Sequence, residues 1–156
     1  MPIEVLVVDD QEEHPVEVER WAALASAALG EVGLSGDVEL SVHFVDEERI
    51  AELNEGYLGH PGATDVLSFP IEGEPLAPGS PGGVPLLLGD IVICPAVAAA
   101  NAPEHAGTYE AELALLVVHG VLHLCGMDHE ADAEAEVMEA REQELLALHF
   151  RAGGPT

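Results

Sequence analysis

The chain contains no lysine and only four arginines, Arg20, Arg49, Arg141 and Arg151, against 30 acidic residues. Its formal charge is −26 over 156 residues. A protein that holds nucleic acid by general electrostatic attraction needs a basic face to displace phosphate counterions. Four scattered arginines cannot supply a large one. Cysteine is scarce too: Cys94 and Cys125 cannot build a disulfide framework, and a reducing cytosol suits them. No apolar run approaches the roughly 18 residues of a membrane span. The opening MPIEVLVVDD lacks the basic start and cleavage site of a secretory signal, so a cytoplasmic protein is expected. Apolar residues still make up 48% of the chain, too many for a disordered acidic tail. The length fits one domain over residues 1–156.

The pattern alternates strands and helices without a repeat. Residues 3–9 are short, apolar and β-branched, as a strand should be. Residues 15–29 place Trp21, Leu24 and Ala28 at helical spacing, with Gly30 as the expected stop. VELSVHFV at 38–45 alternates as a half-buried strand does. Asp46 is expected to cap a short helix closing near Gly56, and residues 65–70 to form a strand ending at proline. A breaker-rich stretch, 72–85, reads as a flexible Gly/Pro-rich loop. Residues 86–94 form an apolar strand in which Gly89 marks a bulge or a close approach. Pro95 opens an Ala-rich helix that stops around Pro103. Thr108 begins the most apolar helix, apolar nearly all round and therefore central, which Gly126 ends. The tail, 132–150, is expected to be an acidic amphipathic helix with Val137, Leu145 and Leu148 inward and its glutamates in solvent.

The chemistry concentrates in HGVLHLCGMDH, which begins at His119. His119 and His123 are four apart, so on a helix their rings leave one face a turn apart. A glycine turn at Gly126 can bring the chain back so that His129 completes a trio of imidazoles. Three neutral imidazoles suit zinc and leave one coordination place for water, the arrangement of a reactive site. With eight histidines in the chain, this spacing arises by chance roughly 0.02 times per sequence of this size, and less often with the glycine required. The same spacing occurs in metzincin proteases, which carry a general-base Glu after the first His. That position is Gly120, so the proton chemistry of those enzymes is excluded.

HGVLHLCGMDH resembles the signature of the YbeY-like bacterial rRNA maturation factors, metal-dependent single-strand endoribonucleases. TDVLSFP at 64–70 and LGDIVIC at 88–94 match two further blocks in the right order. The resemblance implies a mixed α/β domain, a small and mostly parallel sheet of about four strands flanked by helices. It implies one zinc per chain, held by His119, His123 and His129 at the end of the central buried helix. It further implies a role in trimming the 3′ end of small-subunit rRNA and in ribosome quality control, with the small ribosomal subunit, a basic ribosomal protein and a ribosome-associated GTPase as partners. One stretch departs from the family: Tyr57-Leu58-Gly59-His60 stands where a Tyr-Arg-Gly-Lys-like sequence is usual. Leucine cannot pair with phosphate, and His60 can do so only when protonated.

Other candidates surround this core. Asp128 could orient a ligand imidazole, or cap the helix that follows. Asp90 could point into the cleft or simply occupy a bulge. Asp65 and Ser68, in a matched block, could line the substrate groove. Cys125 and Cys94 are expected in the core, and His14, His43, His105 and His149 show no partner pattern. Two rivals to an RNA hydrolase stand beside it: a non-catalytic zinc protein that binds basic ribosomal proteins, and a hydrolase of another small substrate.

Overall fold

A computed structural model describes residues 3–31, 38–70, 86–125 and 132–150. The loop expected at 72–85 and the turn carrying Gly126, Asp128 and His129 lie outside the described residues. Alternation drives the central strand: Val38, Leu40, Val42 and Phe44 are buried, and the residues between them are half-exposed. This strand, β2 (Val38–Phe44), pairs in parallel with β1 (Ile3–Asp9) on one side and β4 (Leu86–Ile93) on the other. β3 (Val66–Pro70) closes the sheet antiparallel to β4, in the order β1-β2-β4-β3. The small, mostly parallel four-stranded sheet that the family resemblance implies is therefore the sheet observed.

Gly89 fulfils both readings of a glycine inside a strand. The β2–β4 register shifts between Glu39 and Leu40, a bulge that leaves Gly89 opposite Leu40. Its φ is +137°, and a Cβ there would lie 2.2 Å from the carbonyl oxygen of Phe69. Only glycine lets β3 approach β4 at this point.

One sheet face is covered by α1 (Val18–Glu31) and α4 (Tyr109–Leu124), with α5 (Asp132–His149) packed outside α4. Ile91 and Ile93 of β4 meet this layer. Gly120 of α4 sits directly on Ile91, and a Cβ added there would fall 2.8 Å from its side chain. A side chain at the position that holds a glutamate in metzincins would therefore have to displace Ile91. On the opposite sheet face a smaller cluster joins Val92 and Leu67 to Ile50 of α2 (Glu47–Leu53). Between β4 and α4 runs α3 (Pro95–Asn101), opened by Pro95.

Four sequence expectations need correction. Gly30 does not stop α1, which runs one residue further, through Glu31, with the glycine inside its last turn. The helix capped by Asp46 does not close near Gly56. It passes into a π-helical turn, Asn54–Leu58, and ends where Gly59 takes the left-handed conformation at φ 73°. On α5, Leu145 is inward as expected, but Val137 and Leu148 are exposed. The buried stripe is Met138, Glu142 and Leu145, at i, i+4 and i+7, and one position off that stripe is a 100° rotation. Glu142 is thus a buried glutamate on a helix whose acids were expected in solvent.

Candidate metal and catalytic site

α4 is positioned by its cap and its apolarity. The Thr108 side chain accepts the Ala111 N–H at 3.1 Å, and ten of the sixteen helical residues are buried. This places His119 and His123 on one face with their rings near-parallel, 24° between planes and 6.5 Å between centroids. Nδ1 of His119 lies 2.5 Å from Oε2 of Glu142, which reaches across from α5. A carboxylate on Nδ1 fixes the ring's orientation and makes Nε2 the nitrogen that would bind a cation. Glu142 is only 6% exposed, so its charge needs a partner of this kind.

His119 and Glu142 line a cleft of about 510 Å³ between α4, α5 and the start of β3. Asp65 lines it as well, held by a hydrogen bond from the Val66 N–H at 2.8 Å to its own Oδ1. Of the weaker candidates, Asp65 is thus brought to His119. Ser68 sits half-buried on β3, and His60 is exposed beyond the π-helical turn; neither is among the described residues lining this cleft. Asp90 is not brought to His119 either. Strand alternation turns it to the opposite sheet face, where it pairs with His43 at 3.7 Å in a separate cleft with Arg49 and Tyr57. Among the described residues no group of three or more His, Cys, Asp or Glu side chains is placed to hold a metal. His129, the third member of the expected trio, lies outside them.

The four histidines that showed no partner in the sequence all have one. His43 faces Asp90, His149 meets Glu31 at 3.1 Å, and the His14 ring packs on Tyr109 at 5.8 Å. His105 is held by Glu112, a residue of α4 with no exposure at all. The partners come from other elements or from beyond a turn, so spacing along the chain does not reveal them. The one visible signal is Glu112, the more deeply placed of the two acids in the first turn of a mostly apolar helix: a charge buried there must be paired.

Cys94 is a core residue as expected, whereas Cys125 is half-buried and packs against the core. Burial pushes the Cys125 thiol up to about 11, and burial likewise raises Cys94 above its usual range despite backbone hydrogen bonds that oppose it. Thiolate is the reactive form, so both should resist alkylation. We expect iodoacetamide at neutral pH to leave native protein unmodified and to label both cysteines once it is denatured. Rapid native labelling of Cys125 would contradict this reading of its surroundings.

The fold and cleft define a class: a small α/β protein whose buried central helix carries two stacked histidines, one of which, His119, is held by a carboxylate and lines a groove at the edge of a mostly parallel sheet. The family model for endoribonuclease YbeY matches residues 6–149, and the chain belongs to that family. It is 44% identical over 135 residues to the endoribonuclease YbeY of Thermobifida fusca, covering 85% of this chain and 86% of that protein. It is 43% identical over 148 residues to the protein of the same name from Beutenbergia cavernae, covering 90% and 95%. A solution structure from Thermotoga maritima superposes with a TM-score of 0.57 at 27% identity, over 97% of this chain and 99% of that one. No described helix is long and apolar enough to cross a membrane.

Proposed function

We propose that this protein is a zinc-dependent, single-strand-specific endoribonuclease that acts in the cytoplasm on the 3′ end of small-subunit rRNA and in ribosome quality control. The observation that carries the reading is the His119–Glu142 contact beside His123 in the α4 cleft, in a chain of the endoribonuclease YbeY family. The donor set fits a metal: an imidazole whose Nδ1 is taken by a buried carboxylate is the usual form of a zinc-bound histidine. His119, His123 and His129 would hold one zinc per chain, with Asp128, next to the last of them in sequence, as an orienting acceptor.

Bound there, zinc would supply Lewis acidity toward water and the phosphodiester at neutral pH. The chain's own residues do the rest. Glu142 fixes the His119 ring, Asp65 lines the floor where the RNA backbone would enter, and Met138 and Leu116 give the groove apolar walls. With a charge of −26, the field of the whole protein repels free RNA, so productive engagement depends on docking to the ribosome. A basic ribosomal protein matches the acidic surface electrostatically, and a ribosome-associated GTPase is the second expected partner.

One observation favours a second reading. Leu58, where the family's arginine usually stands, is exposed and offers phosphate nothing. A non-catalytic assembly factor that carries zinc would not need that arginine. Metal removal separates the two. Chelated protein is expected to lose cleavage of single-stranded RNA and to regain it when zinc is restored. Undiminished cleavage after complete chelation would remove the metal from the mechanism. Zinc-loaded protein with no cleavage at all would leave the assembly factor.

A further inference from the structure

Two carboxylate-held imidazoles share the cleft beside α4. His119 belongs to the histidine pair. His105 belongs neither to that pair nor to the blocks at 64–70 and 88–94. Its place is built by the 3-10 turn Ala102–Glu104 that follows α3. The N–H groups of His105 and Gly107 both donate to the Ala102 carbonyl, at 3.1 and 2.7 Å. Gly107, at φ 103°, then reverses the chain before Thr108 caps α4. The His105 ring is thereby folded back onto the first turns of the helix.

There it meets Glu112. Nδ1 of His105 lies 2.9 Å from each carboxylate oxygen, and Oε1 also accepts the Ala106 N–H at 3.1 Å. Glu112 is completely buried, so this constellation holds an otherwise costly charge. The bond also sets the state of the ring. A carboxylate only accepts, so Nδ1 carries the hydrogen, and Nε2 of the neutral ring is left as a lone-pair acceptor. The His105 side chain is 59% exposed and lines the same cleft as His119 and Asp65.

We propose that His105 is a catalytic general base of this cleft and that Glu112 is its positioning residue. The proposal rests on the nuclease reading above and adds the group that moves the proton. Nε2 takes a proton from a water molecule as the water oxygen bonds to phosphorus. The bond from phosphorus to the leaving ribose oxygen breaks on the opposite side, that oxygen takes a proton from solvent water, and Nε2 releases its own proton to solvent. The ring returns to its neutral form, and the net change is hydrolysis. The carboxylate holds the tautomer and steadies the transient imidazolium without itself taking the proton, as in carboxylate–histidine hydrolases generally. A base so placed contributes about 10²–10⁴-fold.

The test compares wild-type protein with His105→Gln, whose amide can still donate to Glu112. We expect kcat to fall about 10²–10⁴-fold with KM within about threefold, and zinc content and Tm to be unchanged. The acid-side rise of kcat with pH should vanish, and free imidazole should restore part of the rate. Glu112 touches the ring, Glu104 is its chain neighbour, and Asp65, His119, Glu139 and Glu142 line the same cleft, so imidazole rescue is the readout that isolates the ring. A kcat within about threefold of wild type overturns the proposal. So does a loss of rate that comes with a lowered Tm, an unaltered pH profile and no rescue, because the pair would then be structural. Nitrogen-15 NMR of wild-type protein reads the geometry without turnover: the neutral ring must carry its hydrogen on Nδ1, and an Nε2–H tautomer overturns the role. Wild-type cleavage with an unimpaired His105→Gln removes only this step. Zinc-loaded wild-type protein that cleaves no RNA removes the nuclease reading, and this step with it.

Discussion

Replacing His119 with alanine is expected to lower RNA cleavage by about 10³-fold or more and to release most of the bound zinc. The variant removes a ring that the proposed metal needs, and it also strips Glu142 of its partner. A buried carboxylate left without that partner costs about 1–3 kcal/mol, so Tm should fall as well. Glu142→Gln separates the two effects. It keeps the ring and the shape of the site but weakens the bond at Nδ1, and it should weaken zinc binding by about 10–100-fold. Competition with a chelating dye measures the affinity, and a single-stranded RNA assay measures the rate. A His119→Ala protein that keeps both zinc and activity would refute the assignment. A Glu142→Gln protein with wild-type zinc affinity would show that the carboxylate serves only the fold.

The largest effect on stability should come from Gly89→Ala. The new methyl group would lie 2.2 Å from the Phe69 carbonyl oxygen and 3.0 Å from the Pro70 Cα, both of them backbone atoms that a rotamer change cannot move. The backbone also holds φ at +137°, where an L side chain is strained. Overpacking and strain together amount to about 3 kcal/mol or more, which for a chain of this size lowers Tm by about 6–12 °C. Thermal unfolding checks it. A drop under about 2 °C would mean that β3 and β4 can separate at little cost, and that the glycine is not what permits their pairing.

Much of this fold is legible in the sequence because its signals are local. The alternation at 38–44, Pro95 opening α3 and Thr108 capping α4 each depend on neighbours a few residues away, and each is found where the pattern puts it. The inward face of α5 is not legible, because one member of its buried stripe is Glu142, a residue that looks solvent-facing until His119 is known to lie against it. Hydrophobic pattern alone then points to Val137 and Leu148, which are exposed. The same limit applies at the site. The His119–His123 spacing is a helical repeat and reads directly, whereas the His105–Glu112 pair depends on a 3-10 turn and a left-handed glycine between its members. Asp65 is recognised through its sequence block, and the structure sets it beside His119. Asp90 is recognised in the same way and turns to the other face, because a strand reverses its side with every residue.

The bond from α5 to His119 has a consequence for synthesis. The acid that orients this imidazole arrives at position 142, more than a hundred residues after β1 and twenty-three after the histidine itself. During translation the sheet and the histidine helix can emerge and pair while the final helix is still inside the exit tunnel. A nascent chain therefore carries an unfinished cleft until α5 has emerged and docked, so the ring is not locked in place before residue 142 is free to reach it.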